Sequence, residues 1–239
     1  MALVVDNTAA SPVLVRPGDL GAAIVIHSTS KYINGHGTAI GGVLVDTGAF
    51  DWSVPRYAHL RPYYDRARQF ALVAYLRQRV HRDFGGCFSP FNAFLMSIGM
   101  ETMALRIEKH GSNARQIATW LAGHPAGFDV RYPGLPGHPD HAVAARQFSS
   151  RFGGLLTLRL GSRERAFRFI NALRLARNLA NIGDTRTLVI HPASTICREA
   201  SPDDRQAMGV TDDLVRLSIG IEHPDDIRAD LEQALQAAS

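Results

Sequence analysis

Apolar residues in the first half of the chain come in short, uninterrupted runs closed by polar or turn residues. Leu3-Val4-Val5 ends at Asp6, Ala22-Ala23-Ile24-Val25-Ile26 ends at His27, and Gly41-Gly42-Val43-Leu44-Val45 ends at Asp46. Runs of this length without alternation predict strands covered on both faces, as in a parallel sheet. Residues 51–66, rich in Pro, Tyr, Arg and Asp, read as a long surface loop, and residues 67–82 read as helical. From Pro90 to about Leu121 the spacing predicts a long helix interrupted near Gly99 or Gly111. Within it Met103, Ile107, His110, Ala114, Ile117 and Leu121 recur at steps of four and three. That is one face of a helix, and core packing is its expected use.

The second half has a different pattern. Residues 123–141 are crowded with Gly, Pro and His and mark a joint. After it, Leu156, Leu158 and Leu160 alternate with Leu155, Thr157 and Arg159, and Val215, Leu217 and Ile219 alternate with Arg216, Ser218 and Gly220. Alternation of this kind predicts strands buried on one face only. Residues 163–181 read as a helix, Leu188-Val189-Ile190 as a short strand, and a last helix starts at Pro224 with Asp225 and Asp226 in its first turn, where they suit the helix dipole. The chain thus divides into residues 1–105, an α/β unit with a mostly parallel sheet, and residues 106–239, a smaller α+β unit with helices on one face of a sheet.

Composition narrows the classes. The chain has 239 residues, of which 46% are hydrophobic and 20% charged, enough for one large core or two small ones. Cys87 and Cys197 are isolated, so neither a disulfide framework nor a zinc site is expected, and a reducing, cytoplasmic setting is the simplest reading. The formal net charge is +4, but the arginines are spread along the chain, and only Lys31 and Lys109 are lysines. A nucleic-acid binder would gather its cations into a patch, so no nucleic-acid partner is expected. The longest apolar run, Phe91 to Met100, is too short to span a bilayer, so no membrane partner is expected either.

The chemistry concentrates at the ends of the first two strands. After Ile26 come His27-Ser28-Thr29-Ser30-Lys31-Tyr32 and then Gly35-His36-Gly37. Ligands of open α/β sheets bind at the carboxyl ends of strands. Hydroxyls and glycine-flanked backbone N–H groups suit a phosphate, and a partly desolvated lysine can attack a carbonyl as a neutral amine. The dinucleotide fingerprint fails because Ile40 stands where the third glycine belongs, and no glycine-rich loop precedes Lys31. Lys31 is either such an amine or a surface lysine in a turn. Asp6 lies 25 residues earlier, at the end of the preceding run, with room between for a crossover. It either starts a turn or faces a ligand beside Lys31, and a carboxylate and a lysine are the two contacts pyridoxal phosphate most needs. Arg216, on the polar side of its strand, is either a solvent-facing charge or a carboxylate clamp.

Seven motifs, in order along essentially the whole chain, carry a resemblance. They are Val4-Val5-Asp6-Asn7-Thr8, Ser28-Thr29-Ser30-Lys31-Tyr32, His36-Gly37-Thr38-Ala39-Ile40-Gly41-Gly42, Ser89-Pro90-Phe91-Asn92-Ala93-Phe94, Tyr132-Pro133-Gly134-Leu135, His191-Pro192-Ala193-Ser194 and Val215-Arg216-Leu217-Ser218-Ile219-Gly220. With them the sequence resembles the Cys/Met-metabolism group of fold-type I pyridoxal-phosphate enzymes, and within it the O-acetylhomoserine sulfhydrylases. The resemblance implies part of an aspartate-aminotransferase-like large domain followed by a small C-terminal domain. It implies pyridoxal 5'-phosphate as cofactor, held covalently by Lys31, with Asp6 at the ring nitrogen and Ser28 and Ser30 at the phosphate. It implies Arg216 and Asn181, read here at the end of its helix, at the substrate carboxylate.

The activity implied is γ-replacement on O-acetyl-L-homoserine by sulfide or a thiol, giving homocysteine or methionine and acetate. A sibling γ-lyase or cystathionine synthase or lyase, or a non-catalytic fragment, are the alternatives. Relatives assemble as dimers of dimers, so a homo-oligomer is implied. Cys197 departs from the histidine that sulfhydrylases tend to carry there, and a structural cysteine is expected. The family's phosphate-binding glycine loop and arginine, and its ring-stacking tyrosine, would precede position 1. The chain therefore reads as the C-terminal part of such an enzyme, expected to bind the cofactor poorly and turn over slowly or not at all on its own.

Overall fold

The structure, a computed structural model, describes residues 1–239. Two sheets organise it. The first has three strands in the order β1 (Val4–Asp6), β2 (Ile24–Ser28), β3 (Gly42–Asp46). β1 and β2 are parallel, with Asp6 opposite Ile26, so their carboxyl ends lie together, as the two apolar runs predict. β3 runs antiparallel to β2. The expected cover on both faces holds for the middle strand alone. Ala22, Ala23, Ile24 and Val25 are buried, whereas Val43, Leu44 and Val45 are 40–44% exposed and Val4 is 50% exposed, so β1 and β3 lie partly open.

The stretch expected to be a surface loop is ordered instead. A 3-10 turn, Pro55–Leu60, leads into a helix at Arg61–Ala67. Aromatic packing explains this, because Tyr57 meets Phe50 and Trp52 edge to face, Phe50 and Trp52 pack tilted at 4.7 Å, and Trp52, Leu60 and Ala71 form a small buried cluster with Ala23 and Ile24. The helix expected at 67–82 forms over most of that range: Ala71–Tyr75 and Arg82–Phe84 are α-wound and run continuously through a π-wound stretch at Leu76–His81, while Arg68 at φ +51° breaks the chain before it.

Two helices follow, α1 (Pro90–Glu101) and α2 (Met103–Ala122). The interruption falls at Thr102 and at neither glycine. Both glycines lie inside continuous helix because a neighbouring backbone passes close. A Cβ on Gly99 would sit 2.3 Å from the Asn34 carbonyl oxygen, and one on Gly111 would sit 2.7 Å from that of Arg151.

The second sheet has five strands in the order β4 (Asp129–Arg131), β5 (Leu155–Arg159), β8 (Leu214–Ser218), β7 (Leu188–Ile190), β6 (Arg177–Asn178). Only β6 and β7 pair in parallel. The main core lies between this sheet and three helices: α2, α3 (Arg163–Ala172) and α4 (Pro224–Ala237). Leu156, Leu158, Val215 and Leu217 face Ile117, Leu121, Phe169 and Leu231 there, all essentially inaccessible to water. Burying one such side chain contributes about 1.5–3 kcal/mol.

α3 stops at Ala172, nine residues short of the helix expected to reach 181. Asp230 on α4 is the reason. Its buried carboxylate accepts the backbone N–H groups of Arg174, Leu175 and Ala176 at 2.8, 3.0 and 2.9 Å, so these groups leave the helical ladder. No helix of the fold is long and apolar enough to cross a membrane.

Candidate active site

β2 ends at Ser28, and the chain then winds into a tight turn. The N–H of Asn34 donates to Thr29 O at 2.9 Å and that of Gly35 to Lys31 O at 2.7 Å. Gly35 and Gly37 take φ +74° and +64°, which side-chain-bearing residues rarely adopt. Asn34, fully buried, fixes the loop after the turn. Its Oδ1 accepts from the N–H of His36 at 3.2 Å and of Thr38 at 3.1 Å, and its Nδ2 donates to Thr38 Oγ1 at 3.0 Å. Tyr32 packs beneath, fully buried, and desolvation pushes its phenol up to about 12. It is therefore a neutral packing group, set against Gly183, where a Cβ would come within 2.6 Å of its ring.

Lys31 is half-buried. Its Nζ donates to Asn181 Oδ1 at 2.5 Å, and Arg216 Nη2 donates to the backbone oxygen of Asn181 at 3.1 Å. These three candidates from distant stretches of sequence therefore meet. Asn181 is not at the end of a helix, as the sequence suggested, but in the loop after β6, because Asp230 has already turned the chain. Arg216 projects from β8, opposite Thr157 and Ile190. Burial lowers its pKa, and its Nε is buried without an acceptor in the chain. Only its Nη2 is engaged within the chain, which leaves Nη1 without a partner there.

Asp6 and Ser28 form a second group at the same strand ends, joined by Thr8. The Thr8 N–H donates to Asp6 Oδ1 at 2.9 Å, while Thr8 Oγ1 accepts the Ser28 N–H at 2.8 Å. Hydrogen bonds from Thr8, first its hydroxyl and then its backbone, hold the Asp6 carboxyl below the ordinary aspartate value, so it stays ionised. His27, buried next to it, is kept neutral by desolvation, which outweighs the attraction of Asp6. The Ser28 hydroxyl has no partner within the chain. Ser30 differs: its Oγ accepts the Gly41 N–H at 3.0 Å and lies 3.2 Å from Gly41 O as donor. Its one proton is thus engaged, and offering it to a phosphate requires the hydroxyl to turn. Asp6 and Lys31 share no direct hydrogen bond or ion pair.

These groups match pyridoxal phosphate in chemistry. An ionised carboxylate suits a pyridinium N–H, a free hydroxyl suits a phosphate oxygen, and a primary amine suits an aldehyde. The Arg216 guanidinium, held through Nη2 alone, adds charge and donors for a carboxylate. The larger surface clefts, such as one of about 840 Å³ beside Val13, Arg16 and Arg151, include none of Asp6, Ser28 or Lys31. Thr8 was legible only as part of a motif and Asn34 falls between two of them; their holding roles come from contacts that spacing does not reveal.

Comparison with known proteins places the chain. The sequence profile of the family described as Cys/Met metabolism PLP-dependent enzyme matches residues 1–236. O-acetyl-L-homoserine sulfhydrylase 1 of Thermus thermophilus is 44% identical over 246 residues, and homocysteine synthase of Schizosaccharomyces pombe is 43% identical over 249. The alignments cover 98% and 99% of this chain and 58% of each relative, so the chain spans a little over half the length of the curated relatives it matches. A crystal structure of a putative O-acetylhomoserine (thiol)-lyase from Campylobacter jejuni, solved with N'-pyridoxyl-lysine-5'-monophosphate, superposes with a TM-score of 0.89 at 36% identity. It covers 99% of this chain and 59% of that one. The chain belongs to the pyridoxal-phosphate-dependent enzymes of Cys/Met metabolism.

Proposed function

We propose that this chain carries the lysine and the substrate clamp of a pyridoxal-phosphate-dependent γ-replacement, in which sulfide or a thiol displaces acetate from O-acetyl-L-homoserine to give homocysteine or methionine. The observation that carries the reading is the Lys31 amine. It is presented at the carboxyl end of a parallel strand pair, held by Asn181, with ionised Asp6 on the neighbouring strand. The names of the relatives at 43–44% identity support the choice of reaction.

The cofactor, when bound, supplies an electron sink for carbanion character on the substrate. Lys31 would hold it covalently and, once freed by the substrate amine, would move protons at the α and β carbons. Asp6 would keep the ring nitrogen protonated by charge and hydrogen bonding. Ser28 would donate to the phosphate, and Ser30 would do so after releasing Gly41. Arg216 would grip the substrate α-carboxylate through its guanidinium, and Asn181 would orient both Lys31 and Arg216. We read residues 1–105 as cofactor-binding and 106–239 as the unit that brings the clamp, and the assembly as a dimer of dimers.

The test uses the full chain. Acetate release from O-acetylhomoserine with sulfide is measured with added pyridoxal phosphate, against elimination from methionine. Acetate release that is slow, depends on sulfide and disappears in Lys31→Ala is expected. Elimination without replacement, or activity that survives the substitution, would refute the assignment.

A further inference from the structure

Arg106, on the first turn of α2, is only 4% exposed and has no carboxylate partner. All four of its hydrogen bonds go to uncharged oxygens. Nε donates to Thr102 Oγ1 at 3.1 Å and Nη1 to Tyr32 O at 2.8 Å. Nη2 donates to Ile33 O at 3.3 Å and to Gly99 O at 2.5 Å. A buried guanidinium without a counter-charge is costly, so the acceptors it does find matter.

Two of those acceptors belong to the turn that carries Lys31. A helical turn leaves its last carbonyls without N–H partners. Here the Lys31 carbonyl is taken by Gly35 N, that of Asn34 by His36 Nδ1 at 2.7 Å, and that of Gly35 by Thr185 N at 2.8 Å. The carbonyls of Tyr32 and Ile33 are taken by Arg106 alone. The fit is close: a Cβ on Gly35 would lie 2.0 Å from Arg106 Nη1, so only glycine leaves the guanidinium room.

We propose that Arg106 is a positioning residue for Lys31: its planar fork closes the carbonyl end of the Lys31 turn from α2, and so fixes where the amine stands relative to Asn181. A lysine at 106 keeps the charge but cannot serve the same divergent acceptors in one plane. The proposal rests on the reading of Lys31 as the cofactor-binding amine.

The chain contains a built-in reference for the test, because Lys109, exposed on the same helix, is its only other lysine. The full chain is treated with pyridoxal phosphate, reduced with borohydride and mapped by peptide mass, and the ratio of label on Lys31 to label on Lys109 is read. The wild type is expected to label Lys31 preferentially. Arg106→Lys, Arg106→Met and Gly35→Ala are expected to lower the ratio by roughly tenfold, the scale at which misplacing a reacting group costs rate. Circular dichroism is recorded alongside. A residue that only stabilised the fold would lower the unfolding temperature and leave the ratio of the folded protein unchanged. Should Arg106→Met not fold, the charge-conserving Arg106→Lys and the glycine variant decide. A ratio unchanged in folded Arg106→Lys and Gly35→Ala overturns the role of Arg106 and leaves that of Lys31 standing. No preference for Lys31 in the wild type overturns both.

Discussion

His110 makes the stability of the second half depend on pH in a defined direction. The side chain is fully buried on α2. Its Nδ1 lies 2.6 Å from Ile219 O, its ring meets Tyr32 edge-on at 5.3 Å, and its Nε2 is buried without a partner. The neutral ring with its proton on Nδ1 satisfies this environment, while a second proton would create a buried N–H with no acceptor. Burial first, and the positive charge of Arg106 to a lesser extent, push its pKa down to about 4, against 6.5 in an unfolded chain. At about 1.36 kcal/mol per unit, that difference is worth about 3 kcal/mol. Above pH 6.5 neither state is protonated and no stability is lost to this group. As pH falls below 6.5 the unfolded chain takes the proton and the folded one does not, so stability falls until the folded ring also protonates, near pH 4.

Urea unfolding of the wild type and of His110→Gln, which keeps a donor for Ile219 O, would be compared at pH 7.5, 6.5, 5.5 and 4.5, conditions chosen around the pKa gap of about two to three units. The other titrating groups, including buried His27, act in both proteins and cancel in the difference. The variant should be the less stable at pH 7.5, and the gap should close by about 2–3 kcal/mol by pH 4.5. A gap that stays constant within about 0.5 kcal/mol over that range would refute the assignment of a neutral, proton-resisting His110.

Two further substitutions test the packing that shapes the site. Asp230→Ala leaves three backbone N–H groups, that of Ala176 buried, without their acceptor and should cost about 1–3 kcal/mol in urea unfolding, with Asp230→Asn recovering only part of it. Gly99→Ala drives a methyl into the Asn34 carbonyl and should cost about 1–3 kcal/mol. Because it presses on the loop that follows Lys31, it should also lower cofactor labelling of that lysine.

How far the sequence revealed this structure depended on the range of the interaction involved. The parallel pair β1–β2 was legible because two apolar runs, each closed by a polar residue and separated by a crossover length, have few other arrangements. β5 and β8 were legible from alternation, and α4 from Pro224 and the acids after it. Each of these signals lies within one element. The end of α3 was not legible, because its cause is the Asp230 carboxylate more than 50 residues further along. Asn181 was named as a candidate while its setting was misread, for the same reason. The direction of β3 was not legible either, since an apolar run fixes neither its sense nor what lies over it.

Arg106 shows the same limit from the other side. In the sequence it is one arginine among many on a helix whose apolar stripe passes beside it, and nothing in its spacing marks it. Its meaning comes from 73 and 74 residues away, where two carbonyls after Lys31 lack donors. The Lys31 turn is thereby tied to α2 through Arg106, and to the second sheet through Asn181, Gly183 and Thr185. Both anchors come from beyond residue 100, while the lysine, the aspartate and the hydroxyls all lie before residue 31 or at it. Motifs near the start of the chain therefore name the candidate groups, but their geometry is set by the helix and loops that follow. Substitutions in residues 99–106 and 181–185 should consequently alter Lys31 chemistry before they alter the fold of the sheet that bears it.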